Sequence, residues 1–264
     1  MKICHMRASR RDLLLILAAI ANTRQAFAAI NAQSVLVASD AIRNPSRPFS
    51  VIVTLTEFQA GASINSSTLQ SYSRVLSAGG QFASLVRYVK PARDAGKVML
   101  KIGSDLWFFD PSTKASIRIS PQQRLIGQAA NGDVVAVNFA KDYSATLVAT
   151  EDIADGERRI RKTLKLSLMP TTDEAVYATI ELWVDSETNY PLKARFYADS
   201  GRALKTAYYR RYQTQLGIER PTETVIIDGL DPQSVTLMRL SEYVAREIPI
   251  TWFNRDYLPR FQPE

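Results

Sequence analysis

The chain has 264 residues, 46% hydrophobic and 22% charged, which are the proportions of a folded globular protein and exclude a disordered one. Its one cysteine, Cys4, and its one histidine, His5, both fall in the first 28 residues. A chain shortened there has no disulfide, no Cys or His metal site, no thiol nucleophile and no Ser-His-Asp triad. The formal charge of +7 then shrinks to 28 basic against 25 acidic residues, too even a balance to argue for nucleic acid.

Residues 1–28 read as an export signal that is removed on maturation. A basic stretch from Met1 to Arg11 precedes an apolar run from Leu13 to Ala21, and Ala26-Phe27-Ala28 supplies small residues at the cut. The apolar run is about nine residues, well short of the roughly 20 needed to span a bilayer. Arg10 and Arg11 in SRRDLLL fit either a twin-arginine signal or a general secretory one that happens to hold two arginines. The remaining residues, 29–264, read as a single domain located in the periplasm.

Asn31 caps a predicted helix over 31–44, with Val35, Leu36, Ala38 and Ile42 as its apolar stripe and Asn44-Pro45 as its stop. From Phe49 the apolar period becomes two. FSVIVTLTEF, KVMLKIG, ASIRIS, TLKLSL and ATIELWV all alternate, and turn signals such as Asp110-Pro111 and Asp199-Ser200-Gly201 separate strand-like runs. One interruption, SPQQRLIG, carries helix signals: Ser120 as cap, Pro121 at the first position, Gln123 closing a capping box and Gly127 as stop. A short helical turn is expected within 128–143, and another helix around Trp252 to Leu258.

The expected fold is mainly β. A curled antiparallel sheet of about 10–11 strands forms an unclosed half-barrel, with a few short helices capping its cavity. Right-handed twist curls so long a sheet, and three short helices are too few to cover it laid flat. An apolar cavity follows, suited to acyl chains. Its candidate lining is Leu100, Ile102, Trp107, Phe109, Leu164, Leu166, Leu168, Ile180, Leu182, Val184 and Phe196. A two-residue turn within 103–105 puts Leu100 and Ile102 on one face with Trp107 and Phe109, taken as the inner face. Phe108 then joins Met99 and Lys101 outside, and an odd-length turn reverses the assignment. The plain alternative for each of these residues is core packing.

The stretches IGSDLWFFDPSTKASIRIS, LWVDSETNYPLKARFYADSGRALKTAYY and ASDAIRNPSRPFSVIVTLTEF resemble the outer-membrane lipoprotein-sorting proteins of the LolA-like family. The resemblance covers roughly residues 34–260. It implies a periplasmic half-barrel with a helical lid that shuttles lipoproteins, or in relatives other lipids, from an inner-membrane transporter towards an outer-membrane acceptor. It also implies an arginine on an early strand that bonds the lid, for which Arg74 and Arg87 are the candidates. The insert after Ser120 departs from the simplest carriers.

No catalytic residue, metal or cofactor is expected, and the protein reads as a monomeric carrier and not an enzyme. Two rivals stand beside it. One is an interaction module with a filled interior, partnering an inner-membrane lipid exporter. The other is a carboxylate enzyme built from Glu57, Glu151, Asp152, Glu181 or Asp185, which needs two acids facing each other in a cleft. The basic run Arg158-Arg159-Ile160-Arg161-Lys162 is either a solvated hairpin tip or a contact for anionic headgroups or an acidic transporter partner.

Overall fold

The computed structural model describes residues 30–77 and 80–262. The export signal expected over 1–28, with Cys4 and His5, lies outside the described residues. Among those residues no helix is long and apolar enough to cross a membrane.

The helix expected at the start forms as α1 (Ala32–Arg43). The Asn31 side chain accepts from the Ser34 amide at 3.0 Å, satisfying one of the amides a helix start leaves bare. At the other end Asn44 turns extended ahead of Pro45. Strands follow: β1 (Phe49–Gln59), β2 (Ala62–Val75), β3 (Phe82–Lys90), β4 (Val98–Ile102), β5 (Asp105–Asp110) and β6 (Ala115–Arg118). A small hairpin, β7 (Arg124–Ile126) and β8 (Ala129–Ala130), leads to α2 (Phe139–Asp142). The rest are β9 (Tyr143–Ala154), β10 (Ile160–Pro170), β11 (Thr179–Asp185), β12 (Pro191–Tyr197), β13 (Ala203–Gln215), β14 (Ile218–Asp228) and β15 (Ser234–Ala245). Two 3-10 turns, Ile250–Phe253 and Arg255–Arg260, stand where a C-terminal helix was expected.

Thirteen strands make one antiparallel sheet in the order β6-β5-β4-β3-β2-β1-β15-β14-β13-β12-β11-β10-β9. Every neighbour except the β1–β15 pair is also a neighbour in sequence, so hairpins build each half and one long-range pairing joins them. The end strands β6 and β9 do not pair, and the curled sheet stays open. The count exceeds the expected ten or eleven. Serine-rich β2 holds the pleat with little apolar signal.

Register carries one face across eight neighbouring strands, from β2 through to β10. Val53 pairs with Leu69 and Leu240, Leu55 with Met238, Thr224 with Met238 and Tyr209, Ala207 with Ala194, and Ala194 with Leu182, which pairs with Leu166. This is the concave face. Its buried side chains form two clusters, one over β9–β13 with Leu36 of α1, the other over β1–β4, β14 and β15 with Ile126, Ala129, Val134 and Val135. At roughly 25 cal/mol per Å² of apolar surface removed from water, this burial is the main force holding the curl.

The helix predicted from Ser120 to Gly127 is not there. Its first turn forms, with Gln122 N–H on Ser120 Oγ at 3.2 Å and Gln123 N–H on Ser120 O at 3.1 Å, then the chain straightens into β7. Eight residues barely repay helix nucleation, so tertiary contacts decide. Ile126 is buried in the concave core, and Gly127 turns with φ +51°, its Cα against Glu57 and Thr236.

Candidate functional site

Two pieces of chain cover the concave face. Helix α1 lies over β9, β12 and β14, and residues 124–143 lie over the other half. Polar bonds pin the two pieces together. Ala140 N–H donates to Asp40 Oδ2 at 2.7 Å, and Arg43 and Asn44 both donate to the Val137 carbonyl at 2.5 and 2.8 Å. Gln33 donates to the Tyr143 carbonyl and accepts from Ala145 N–H, holding α1 on strand β9. Gln81 accepts from Asn138 N–H and donates to Asp142. Burial pushes the Asp40 and Asp142 carboxyls above the ordinary aspartate range, against opposing pulls from Arg43 on Asp40 and Gln81 on Asp142.

Between cover and sheet lies a cavity of about 140 Å³. Val51, Val53, Ile226, Met238 and Leu240 of the sheet form an apolar wall, and Val134 to Val137 close it from the cover. Its lining runs from Ser71 on β2 to Phe196 on β12, strands that only a curled sheet brings together. Another part of the lining is polar: Arg43, Asp133, Tyr177, Lys205 and Tyr209. Asp133 holds the Lys205 ammonium, accepts from Tyr177 Oη at 2.8 Å, and accepts from Ala130 N–H at 2.8 Å. Burial first, and then the Asp133 charge, lifts the Tyr177 phenol well above its ordinary range, so it stays a donor.

Comparison with known proteins bears on what this hollow is. A LolA superfamily protein from Nitrosomonas europaea is 34% identical over 87% of this chain and 100% of that one, with a TM-score of 0.77. The chain belongs to the LolA superfamily. An outer membrane lipoprotein-sorting protein domain from Vibrio parahaemolyticus shares the fold at 19% identity, over 87% of this chain and 98% of that one, TM-score 0.72. A DUF1329 family protein from Desulfovibrio piger shares it at 20% identity, over 86% and 97%, TM-score 0.72. A family model described only as an uncharacterized protein matches residues 80–260. No curated protein matches the chain.

Within this LolA superfamily fold, the expected lining residues fall into two groups. Leu164, Leu166, Leu168, Ile180, Leu182, Val184 and Phe196 are all buried on the concave side in one cluster, and Phe196 touches the cavity. Leu100, Ile102, Trp107 and Phe109 do share a face, because Gly103-Ser104 makes an even-length turn and Leu100 pairs with Trp107. That face is the convex one. The register from Ser71 through Val86 to Met99 and Phe108 places Met99, Lys101, Leu106 and Phe108 inside. The inner-face assignment for this hairpin is therefore corrected: turn parity fixes which residues share a face, while only long-range pairing fixes which face is inner.

The convex aromatics have their own cover. The C-terminal segment packs Ile248, Trp252, Phe253, Leu258 and Phe261 onto Tyr72, Leu85, Leu100 and Phe109. This accounts for apolar bulk on both sides of the β5 strand. Arg74 donates to the Ile248 carbonyl at 2.6 Å, and Arg87 lies on the same convex face beside Tyr72. Neither early-strand arginine meets the cover over the hollow. The arginine that does bond α1 comes from β14: Arg220, fully buried, donates to the carbonyls of Ala41 and Ile42 at 2.9 and 2.6 Å. Those are carbonyls that a helix end leaves without partners.

Three of the carboxylates weighed for catalysis are engaged with basic, hydroxyl or indole partners and do not face one another. Glu181 holds Lys165 at 2.6 Å and Tyr197 at 2.7 Å, Glu151 accepts from Trp183 Nε1 at 2.6 Å, and Asp185 holds Arg161 at 2.7 Å and caps its own turn. Glu181 and Glu151 lie on the convex face around Trp183, away from the cavity.

Proposed function

We propose that the protein is an exported, non-enzymatic carrier that takes acyl chains of lipoproteins or other lipids into the hollow of its sheet, for transfer through the periplasm towards the outer membrane. The observation that carries this reading is a largely apolar hollow closed by a cover, α1 and the β7–β8 to α2 stretch, that no strand ladder joins to the thirteen-stranded sheet. Membership of the LolA superfamily supports it. At about 0.8 kcal/mol per buried methylene, a 14-carbon chain contributes on the order of 10 kcal/mol before ordering costs. The resting cavity is smaller than the roughly 300–1,000 Å³ of ordinary ligand pockets, so loading requires α1 and residues 124–143 to shift outward. The donor in this reading is an inner-membrane transporter and the acceptor an outer-membrane component, with the carrier acting as a monomer.

Native mass spectrometry of protein purified from the periplasm tests it. Bound lipid or lipopeptide is expected, and delipidated protein should take up a fluorescent fatty acid. A bare polypeptide mass together with no uptake overturns the carrier reading. One observation favours a second reading: side chains of the cover, Ile126, Val134 and Val135 among them, are buried in the concave core and leave a cavity of only about 140 Å³, as in an interaction module that partners an inner-membrane lipid exporter. That reading gains if lipid is refused while the exporter is bound.

A further inference from the structure

We infer that the hollow is built for an anionic amphiphile, with Lys205 and Arg43 receiving a carboxylate or phosphate headgroup while the wall around Val53, Ile226 and Met238 takes its chain. The inference rests on the carrier reading and names the chemical class of its cargo.

A fully apolar lining would serve to bind a hydrocarbon and would be easier to fold. Two cations are instead placed in this lining, each beside an acid. Replacing a buried ion pair by packed apolar residues is often neutral or stabilising, so such pairs need a reason beyond stability. Lys205 occupies a concave-face position of β13, in the same series as Ala207 and Tyr209. Its residue is only 5% exposed. Lys101, the other buried concave-face lysine, does not line the cavity and is occupied by Glu174 and the Gly103 carbonyl.

The partners of the two cations are arranged so that either cation can be shared. Asp133 keeps Tyr177 Oη and Ala130 N–H when Lys205 turns to a ligand. Asp40 keeps Ala140 N–H when Arg43 does. Neither carboxylate is left bare, which lowers the penalty for breaking a buried pair. The cations also have non-carboxylate support. The Lys205 ammonium lies 5.0 Å from the Tyr177 ring centroid and 5.3 Å from that of Phe196, and the Arg43 guanidinium lies 3.8 Å over Phe139. An entering anion therefore finds two ready donors beside an apolar wall, which is the layout an amphiphile with a charged end requires.

The test compares dodecanoate, dodecyl phosphate and 1-dodecanol, three ligands with one chain length and different heads, by titration calorimetry on delipidated protein at pH 7.5. At least one anion is expected to bind tenfold or more tightly than the alcohol, and which anion does so separates a carboxylate source from a phosphate source. Lys205→Met leaves Asp133 without its cation, so the Lys205→Met/Asp133→Asn double variant, which removes both charges, guards against simple unfolding. In it, with Arg43 still in place, the preference should fall at least threefold, with dodecanol affinity changed less than threefold. Equal affinity of all three for the parent protein, or a preference undiminished in the double variant, overturns the inference and leaves the carrier reading standing. No binding of any of the three overturns both.

Discussion

Glu223 shows how a single residue on a β-sheet can be fixed by its neighbours. It is buried, and three arginines converge on it: Arg210 at 2.6 Å, Arg239 at 2.8 Å and Arg211 at 3.4 Å. Desolvation is the largest influence and works to raise its pKa, but hydrogen bonds from Arg239 and Arg210 and their charges outweigh it and hold the group below the ordinary glutamate value of 4.5. Stability from a group lowered in this way is present above the unfolded pKa and is lost as pH falls through the folded one. Glu223→Gln should therefore cost about 1–3 kcal/mol at pH 7, trimmed because two of the arginines are largely exposed. In urea melts the gap to the parent should close below about pH 4. Gly127 makes a second residue-scale case. A Cβ there would come within 2.3 Å of Thr236 Oγ1 and 2.9 Å of Glu57 Cγ, on a backbone at φ +51°. Gly127→Ala should cost about 2 kcal/mol or more, read as a fall in the urea midpoint.

At the scale of elements, α1 is anchored from both ends by strands distant in sequence. Gln33 ties its first turn to β9, and Arg220 ties its last turn to β14. Arg220→Met keeps the bulk but removes the donors to two buried carbonyls, a loss of about 2–4 kcal/mol. Its signature should be local: amide exchange across Ala32–Arg43, followed by mass spectrometry, should speed up more than exchange in β1 or β15. How far such elements were legible varies with the physics behind them. Helix α1 was readable because its cap, Asn31, and its stop, Asn44-Pro45, act within a few residues. The β7–β8 hairpin was not, because Ser120 and Pro121 do start a turn and only contacts with Thr236 and Glu57, about 110 and 70 residues away, divert it. Lys205 was hidden for a different reason. In LKTAYY both strand faces carry an aromatic, so period two alone did not mark the lysine as inward. Arg220 gave no local signal at all, since its partners lie nearly 180 residues earlier.

At the scale of the whole molecule, the half-barrel was foreseen because alternation repeated along a long chain leaves few ways to hide one apolar face. What alternation could not supply was the sign of curvature. The LWFF strand therefore went to the wrong side: both of its faces are covered, one by residues of the hollow and the other by the C-terminal segment. If loading displaces the cover, the protein with lipid bound should lose amide protection in α1 and in residues 124–143, while β1, β14 and β15 stay unchanged in hydrogen exchange. Loss of protection across the central strands instead would mean that cargo unfolds the sheet and does not lift a cover.

The unpaired ends at β6 and β9 have a mechanical consequence. A closed cylinder of strands has a circumference set by its hydrogen bonds, and widening it means tearing a seam. A gutter has no seam. Its two rims can spread through small changes of twist shared over thirteen strands, with each backbone pair intact. The width available to a guest is then governed by the lateral ties of Gln33, Gln81 and Arg220, so the bore can adjust to chains of different girth without any loss of β-sheet.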